Sequence, residues 1–300
     1  MMELGRLLTA MVTPFDEGGR VDYPQARRLA RALVDSGSHG LVVVGTTGEA
    51  PTLTHEEKLR LIGEVKEAVG DKGTVVAGTG SYSTAESLEL TREAEAIGVD
   101  GVLLVVPYYN RPTPEGLYQH FKAIAQGTQL PCLMYNVPSR TGTNLTAETV
   151  IRLGQIRNIV GIKEASGNLD QIARIIDGTP QGFMVYSGND GDTLPILSVG
   201  GYGVIGVASH LVGLQIREMM DSFLEGRWQE AAVLHRRLLP IFNAMFILSN
   251  PIPVKYAVNA VGFPVGKPRL PLTEPDDRSA AAIQTILKNY HIDLPLVSRS

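Results

Sequence analysis

The stretch "GLVVVGTTGE" (40–49), followed closely by "THEEKLRLIGEVKEAVG" (54–70), joins an apolar run to a helical pattern. The apolar run shows little polar alternation and is rich in Val, which is typical of a strand buried on both faces. The second stretch opens with Thr54 and Glu57 at the spacing of a capping box, which predicts the start of a helix. A strand followed by a helix is the repeating unit of a parallel α/β fold.

The same unit recurs along most of the chain, and "STAESLELTREAEAIG" (83–98) repeats the capping-box spacing with Ser83 and Glu86. The other apolar runs are "RLLTAMVTPF" (6–15), "TVVAGTG" (74–80), "GVLLVVPYY" (101–109), "PCLMYNVP" (131–138), "IVGIKEASGN" (159–168), "FMVYSGND" (183–190) and "YGVIGVASH" (202–210). Eight strand–helix units in about 225 residues predict an α/β fold, a (β/α)8 TIM barrel. An open doubly wound sheet is the alternative, but "GTTGE" (45–49) lacks the GxGxxG spacing of its phosphate-binding turn.

The pattern changes after Gly226 to three helical stretches. These are "RWQEAAVLHRRLLPIFNAMFIL" (227–248), "IPVKYAVNAVG" (252–262) and "PDDRSAAAIQTILKNY" (275–290). We therefore predict a catalytic barrel over residues 1–225 and a C-terminal helical domain over residues 226–300. In the first of these helices we expect Trp228 and the apolar stripe of Ala231, Leu234 and Leu238 to be packing residues.

The overall composition argues against several classes of function. The 300 residues are 44% hydrophobic and carry a formal net charge of −4, so nothing suggests a nucleic-acid partner. Cys132 is the one cysteine, so no intrachain disulfide can form, which fits a reducing compartment. The N-terminus lacks the layout of a signal peptide, and "GVLLVVPYY" is too short to cross a bilayer. We expect a cytoplasmic protein without a membrane partner.

The ends of the predicted strands carry an amine, phenols, hydroxyls and a guanidinium, and chemistry in such a barrel lies at these ends. The residues are Thr46, Thr47, Tyr108, Tyr109, Tyr135, Arg140, Lys163, Gly188, Asn189, Ile205 and Gly206. No set of His, Cys, Asp or Glu shows metal-ligand spacing. We therefore expect neither a metal nor a cofactor.

Lys163 is the most informative of these residues because it follows the apolar residues of "VGIKEASGN" (160–168) directly. Burial lowers the pKa of a lysine, and a neutral amine is a nucleophile. With a phenol such as Tyr135 to move protons, this arrangement suits Schiff-base chemistry on a ketone. The alternative is a structural ion pair between Lys163 and a neighbour such as Glu164.

Three motifs carry a resemblance to a known family. "GTTGE" (45–49), "YNVPSRTG" (135–142) and "GIKEASGN" (161–168) resemble the dihydrodipicolinate synthase and N-acetylneuraminate lyase family of pyruvate-dependent class I aldolases. The resemblance runs the full length of the chain and includes "VVPYYNRP" (105–112) and "YSGND" (186–190). It implies the same barrel fold and a Schiff base with pyruvate.

The resemblance also implies a role for single residues. Lys163 matches the lysine that forms the Schiff base, and Tyr135 matches the tyrosine that moves protons over the imine. Thr46 matches the relay hydroxyl between two tyrosines, and Tyr109 matches the second tyrosine, which reaches into a neighbouring subunit's site. Thr47 matches the group that holds the carboxylate of pyruvate.

Three further residues are assigned in the same way. Gly188 and Ile205 match positions whose backbone lines the pocket. Arg140 matches an arginine that holds the carboxylate of L-aspartate 4-semialdehyde in the synthases, and its planar fork suits bidentate binding of a carboxylate. The lyases for sialic acid typically lack this arginine and read "GSTGE" at the first motif.

These two markers favour a synthase that condenses pyruvate with L-aspartate 4-semialdehyde to 4-hydroxy-tetrahydrodipicolinate, a step of lysine and diaminopimelate biosynthesis. The alternative inside the family is another pyruvate-dependent aldolase, for a 2-keto-3-deoxy sugar acid or N-acetylneuraminate. The alternative outside it is a catalytically silent barrel that only binds a ketoacid or a partner.

The resemblance finally implies a homotetramer built as a dimer of dimers, with a lysine-binding regulatory site at a subunit interface. The residues at those positions are Ala50, His55, Lys58, Tyr82, Glu86 and Tyr108. His55, Glu86 and Tyr108 fit the lysine-sensitive pattern. Lys58 would repel an ammonium ligand and Tyr82 replaces an amide, so we expect weak or absent inhibition by lysine.

Overall fold

Eight strands, twelve α-helices and three short 3-10 helices make up the regular structure of residues 4–295, which are the residues that the computed structural model describes. The strands are β1 Leu7–Ala10, β2 Gly40–Val43, β3 Thr74–Gly78, β4 Gly101–Val105, β5 Cys132–Asn136, β6 Ile159–Glu164, β7 Met184–Ser187 and β8 Gly203–Gly206. They follow one another in chain order around a closed barrel, and the pairs described in register are parallel. The predicted TIM barrel is therefore confirmed.

The helices alternate with the strands and then continue alone after β8. They are α1 Tyr23–Asp35, α2 His55–Val69, α3 Thr84–Ile97, α4 Pro114–Gln126, α5 Pro138–Thr141, α6 Ala147–Leu153, α7 Leu169–Gly178, α8 Thr193–Ser198, α9 Ser209–Leu224, α10 Trp228–Ala244, α11 Ile252–Ala260 and α12 Asp277–Leu287. The division into domains at residue 225 stays a prediction, and its outer ends, residues 1–3 and 296–300, lie outside the described residues.

The described chain divides into two compact units, each built from two separate stretches. The first unit contains residues 4–6 and 75–205, and therefore most of the strands from β3 to β8. The second unit contains residues 7–74 and 206–295, with β1, β2 and the last four helices. The C-terminal helices therefore share a unit with residues 7–74, which carry β1 and β2.

The strands are buried along nearly their whole length, which explains their lack of polar alternation. Every residue of β1, β2, β5, β7 and β8 is buried. The register across β5, β6 and β7 places Lys163 beside Tyr135 on one side and Tyr186 on the other. A cation therefore stands in a row of buried aromatic residues.

The caps of α2 and α3 differ, although the sequence shows the same spacing at both. Thr54 Oγ1 accepts from the Glu57 amide at 3.2 Å, and the Thr54 amide donates to Glu57 Oε2 at 3.0 Å, which completes the predicted capping box. Ser83 Oγ accepts from the Glu86 amide at 3.3 Å. The amide of Ser83 donates instead to Ser81 Oγ at 3.0 Å, so Ser81 takes the place predicted for Glu86.

The start of α10 also differs from the prediction. Ala231 and Leu238 are buried as expected, but Trp228 is 67% exposed. A helical side chain covers the turn that precedes its own Cα, and Trp228 is the first residue of its helix, so its indole has no such turn to cover. Trp228 is therefore not packed within the described chain as predicted.

Candidate active site

Lys163 lies on β6 and is only 6% exposed. Its Nζ is 4.4 Å from the centroid of the Tyr135 ring, which belongs to the paired residue of β5. Tyr135 is itself buried, with 6% of its surface exposed. The structure thus brings together the predicted nucleophile and the predicted proton carrier.

The surroundings of Lys163 favour its neutral form. Burial lowers the pKa of Lys163 from 10.5 to about 8, because the charged amine loses its hydration. The negative charge of Asp190 opposes this effect, and the positive charge of Arg140 adds to it. A substantial fraction of the amine is therefore unprotonated at pH values slightly above neutral, which a nucleophilic lysine requires.

Glu164 follows Lys163 on the strand, and successive side chains of a strand point to opposite faces. Its carboxylate accepts from Asn136 Nδ2 at 3.1 Å, from Gln171 Nε2 at 3.1 Å and from the Ser166 amide at 2.7 Å. Burial raises the pKa of Glu164, against the effect of these hydrogen bonds. The donors to this buried carboxylate are thus two side-chain amides and a backbone amide. Lys163 is not one of these donors, so they give no support to the structural ion pair considered from the sequence.

Arg140, Gly188 and Ile205 belong to the same unit as Lys163. Arg140 lies on the short helix α5 and is exposed, close enough to Lys163 to lower its pKa. Gly188 donates its amide to the carbonyl of Glu164 at 2.8 Å, and a Cβ there would lie 2.7 Å from the Cβ of Ala165. Ile205 is fully buried on β8.

The two tyrosines after β4 have different surroundings. Tyr109 has a positive φ of 73°, unusual for a residue other than glycine, and its side chain is 94% exposed. Tyr108 packs edge-on against Tyr82 with 5.3 Å between ring centroids. Burial, and to a lesser extent Tyr82 and Glu86, raises the pKa of Tyr108. Tyr108 is therefore a packed residue, whereas Tyr109 presents its phenol outward.

The turn with Thr46 and Thr47 belongs to the second unit. Val44 and Glu49 flank it with positive φ values of 60° and 57°. Thr46 is half-buried and its carbonyl accepts from the Glu49 amide at 3.1 Å. Thr47 is buried, and its Oγ1 accepts from Asn250 Nδ2 at 2.9 Å. These contacts fix the backbone at Thr46 and the hydroxyl of Thr47.

Glu49 ends this turn and is buried in an ion pair. Its Oε1 lies 2.7 Å from Lys255 Nζ, and its Oε2 accepts from the Arg269 amide at 2.8 Å. Lys255 also donates to the carbonyl of Lys267 at 3.1 Å, and its Nζ lies 4.1 Å from the centroid of the Phe15 ring. These contacts give Glu49 a role in holding the turn rather than that of an exposed base.

The predicted regulatory residues fall in both units. Tyr108 and Glu86 belong to the first unit, where Glu86 influences the pKa of Tyr108 and accepts from Ser81 Oγ at 3.3 Å. His55 belongs to the second unit as the first residue of α2. Of the three predicted regulatory residues, Glu86 and Tyr108 thus lie in the same unit as Tyr82.

Three residues around these sites were missed from the sequence. Asp190, whose charge raises the pKa of Lys163, is the last residue of the run "YSGND" (186–190), and the sequence alone gives it no role of its own. Asn250 and Lys255 belong to the stretch "NPIPVK" (250–255), whose two prolines indicate a break between helices and do not point to a site. A buried lysine inside an apolar helix was the available signal.

Residues 4–295 contain neither a cluster of metal-ligating side chains nor a helix that could span a membrane. No group of three or more His, Cys, Asp or Glu side chains in this range is arranged to hold a metal ion. No helix in the same range combines the length and apolar character needed to cross a membrane.

Comparison with known proteins identifies the family. The model of the dihydrodipicolinate synthetase family matches residues 3–290. The 4-hydroxy-tetrahydrodipicolinate synthase of Dehalococcoides mccartyi is 62% identical over 296 residues, which cover 99% of this chain and 100% of the relative.

Two solved structures show the same likeness in three dimensions. The dihydrodipicolinate synthase of Bacillus anthracis has a TM-score of 0.95 at 44% identity, over 97% of this chain and 100% of that one. The synthase of Cyanidioschyzon merolae, solved with lysine bound, has a TM-score of 0.94 at 47% identity, over 95% and 98% of the two chains. By sequence and by structure, this chain belongs to the dihydrodipicolinate synthetase family.

Proposed function

We propose that this chain is a 4-hydroxy-tetrahydrodipicolinate synthase, which condenses pyruvate with L-aspartate 4-semialdehyde through a Schiff base on Lys163. The observation that carries the proposal is the buried Lys163, whose pKa burial lowers to about 8 beside the ring of Tyr135. The names of the relatives support the synthase rather than another aldolase of the family.

The reaction begins with attack of the neutral Lys163 amine on the ketone of pyruvate. Loss of water from the resulting carbinolamine gives an iminium, which withdraws electrons from the neighbouring methyl carbon. That carbon loses a proton, and the enamine attacks the aldehyde of the second substrate. The amino group of that substrate then adds to the iminium carbon and displaces Lys163, which closes the ring and regenerates the free amine.

The proton transfers are assigned by the matches with family motifs. Tyr135 moves protons to and from the carbinolamine, since its ring already lies against Lys163. Thr46 relays them onward, and Tyr109 of a neighbouring subunit completes the relay. The 94% exposure of Tyr109 in a single chain supports a partner for its phenol outside the chain.

The carboxylates of the two substrates have separate sites in this proposal. By the family match, Thr47 holds the carboxylate of pyruvate, and Gly188 and Ile205 correspond to positions whose backbone lines the pocket. Arg140 binds the carboxylate of the semialdehyde. The exposure of Arg140 supports this role, because the second substrate must reach it from solvent after pyruvate has bound.

A product assay by mass spectrometry tests the proposal. The protein is incubated with pyruvate and, separately, with L-aspartate 4-semialdehyde, glyceraldehyde or N-acetylmannosamine, with Lys163→Ala as the control. We expect a cyclic product only with the semialdehyde, and none from the variant. A product only with a sugar aldehyde would keep the Schiff base but overturn the role of Arg140, and failure to trap pyruvate with borohydride would favour a silent barrel.

We further propose a homotetramer, a dimer of dimers, in the cytoplasm. A phenol that serves a neighbouring subunit requires at least a dimer, and the buried Cys132 leaves no thiol for a disulfide at the surface. Light scattering after size-exclusion chromatography should give four times the 32.3 kDa of one chain. A monomer that retains full activity would contradict the role of Tyr109 in a neighbouring site.

A further inference from the structure

The Thr47 hydroxyl accepts a hydrogen bond from Asn250, a residue with no role in the reaction steps proposed above. Asn250 Nδ2 lies 2.9 Å from Thr47 Oγ1, and both residues are buried. An amide nitrogen can only donate, whereas a hydroxyl has one proton to donate and lone pairs that accept. In this hydrogen bond Thr47 is the acceptor, so its own proton remains available for another partner.

Asn250 is well placed to fix that arrangement because the helix after it is anchored to the same turn. Lys255 lies on α11, and its ion pair with Glu49 at 2.7 Å is buried, with about 1% of each side chain exposed. Arg269 adds a hydrogen bond from its amide to Glu49, and its guanidinium donates to Glu57 Oε2 at 2.7 Å. Thr47 is therefore held directly by Asn250, while Glu49 ties the end of its turn to the helix that follows.

The carboxylate of a ketoacid has only acceptor oxygens, so it needs a donor at its site. A threonine hydroxyl without a fixed partner divides its time between donating and accepting. We propose that Asn250 is a positioning residue, which donates to Thr47 and thereby commits the Thr47 hydroxyl to donate to the carboxylate of the ketoacid. The inference rests on the function proposed for Thr47.

Asn250→Asp gives the sharpest test because it keeps the shape of the side chain and reverses the hydrogen bond. An ionised carboxylate only accepts, so it takes the Thr47 proton away from the substrate. The readout is the pyruvate concentration that half-saturates borohydride trapping of the Lys163 adduct. We expect this concentration to rise at least tenfold, with a smaller change in the trapping rate at saturating pyruvate.

The added negative charge could repel pyruvate without any role for Thr47, and a second background separates the two effects. In Thr47→Val the hydroxyl is absent, so Asn250→Asp should raise the half-saturating concentration by a much smaller factor. Asn250→Ala removes the donor without adding a charge, so it should raise the half-saturating concentration by a smaller factor than Asn250→Asp, and this rise should also disappear in the Thr47→Val background. The alanine variant keeps the inference testable if the aspartate variant fails to fold.

Asn259→Ala is the matched control. Asn259 also lies on α11, and its amide donates to the Gly266 carbonyl at 2.9 Å and accepts from the Val265 amide at 2.7 Å. It carries the same kind of side chain on the helix that follows Asn250, but these two hydrogen bonds join it to residues 265 and 266 and not to the turn. We expect this variant to lower the melting temperature and to leave the half-saturating pyruvate concentration within about twofold of the wild type.

Two results would overturn the inference. Asn250→Asp with wild-type half-saturation would show that the direction of this hydrogen bond does not matter. An equal effect in the Thr47→Val background would assign the loss to repulsion alone. If the wild type itself forms no adduct with pyruvate, the proposed function fails together with the inference, whereas an adduct with either result above removes the inference only.

Discussion

Lys163 Nζ lies 4.4 Å from the centroid of the Tyr135 ring, and the two residues are paired in register on adjacent strands. A backbone ladder therefore sets the spacing of the amine and the phenol, and it does not depend on a mobile loop. The face of an aromatic ring also attracts a cation, so it limits the cost of the protonated amine without supplying a full negative charge.

Imine formation with pyruvate should depend on pH with a midpoint near 8. Burial lowers the pKa of Lys163 from 10.5 to about 8, so the nucleophilic neutral form grows as pH rises through that value. Trapping rates measured at saturating pyruvate between pH 6 and pH 10 should rise and then level off. A midpoint near 10.5 would show that the amine is solvated as in an exposed lysine.

Asp190 and Arg140 should shift that midpoint in opposite directions. The carboxylate of Asp190 raises the pKa of Lys163, so Asp190→Asn should lower the midpoint. The guanidinium of Arg140 lowers the pKa, so Arg140→Gln should raise it. Arg140→Lys is the control because it keeps the charge and loses the planar fork, so it should change the midpoint little and weaken binding of the semialdehyde. Shifts of the same sign in both neutral variants would contradict the electrostatic explanation.

The buried ammonium of Lys163 should also cost stability. Its folded-state pKa lies below the unfolded value, so the cost is present below pH 8 and disappears as pH rises to about 10.5. Lys163→Met should raise the free energy of unfolding at pH 7 by roughly 2–3 kcal/mol, and by much less at pH 10.5. Urea denaturation at the two pH values measures the difference, and an equal gain at both would show that the cause is packing rather than charge.

Lys255→Met should have the opposite effect, although burial lowers the pKa of Lys255 to about 8 as well. Its Nζ is bonded to Glu49 at 2.7 Å, so removal of the amine leaves a carboxylate buried without its partner. We expect a loss of about 3–5 kcal/mol. The double variant Glu49→Gln with Lys255→Met should recover part of the loss, and no recovery would mean that the pair does not act as a unit.

Gly188→Ala tests the close approach at the end of β7. A Cβ at this position would lie 2.7 Å from the Ala165 Cβ and 3.1 Å from the Glu164 carbonyl oxygen, so the two segments would have to separate. We expect a loss of roughly 1–3 kcal/mol together with reduced pyruvate trapping. Gly98→Ala is a useful comparison, since Gly98 has a positive φ of 89° but open space around it, so it should lose stability without loss of trapping.

Lysine should inhibit the enzyme weakly or not at all. Lys58 places a cation, and Tyr82 a phenol, at positions where the family's lysine-sensitive pattern has neutral and amide side chains. We expect Lys58→Gln with Tyr82→Asn to gain sensitivity, because the change removes the repulsion of an ammonium ligand. Half-inhibition of the wild type by sub-millimolar lysine would contradict this prediction.

The local parts of the fold could be predicted from sequence because each leaves a local pattern. The eight apolar runs identified the strands, and the spacing of Thr54 and Glu57 identified a cap that the structure completes. The predictions that were wrong depend on contacts with residues outside the local pattern. Ser81, and not Glu86, accepts the hydrogen bond from the amide of Ser83. Trp228 is exposed because its helix has no turn before it for the indole to cover.

The site shows the same limit. Lys163 and Tyr135 stand out because an amine and a phenol at buried strand ends are unusual, and register then makes them neighbours. The bond from Asn250 to Thr47 joins residues 203 positions apart, and the pair of Glu49 with Lys255 joins residues 206 positions apart. A single sequence gives no sign of such a pairing, since neither residue of a pair predicts the other.

These separations affect the order of events during synthesis on the ribosome. Translation adds roughly 5–20 residues per second, so Thr47 is added to the chain about 10–40 seconds before Asn250. The strand that carries Lys163 belongs to residues 75–205, which leave the ribosome before the end of the second unit does. The strand that carries the reactive amine is therefore synthesised before Asn250 and Lys255, and the turn proposed to hold the substrate carboxylate gains these anchors only late in translation.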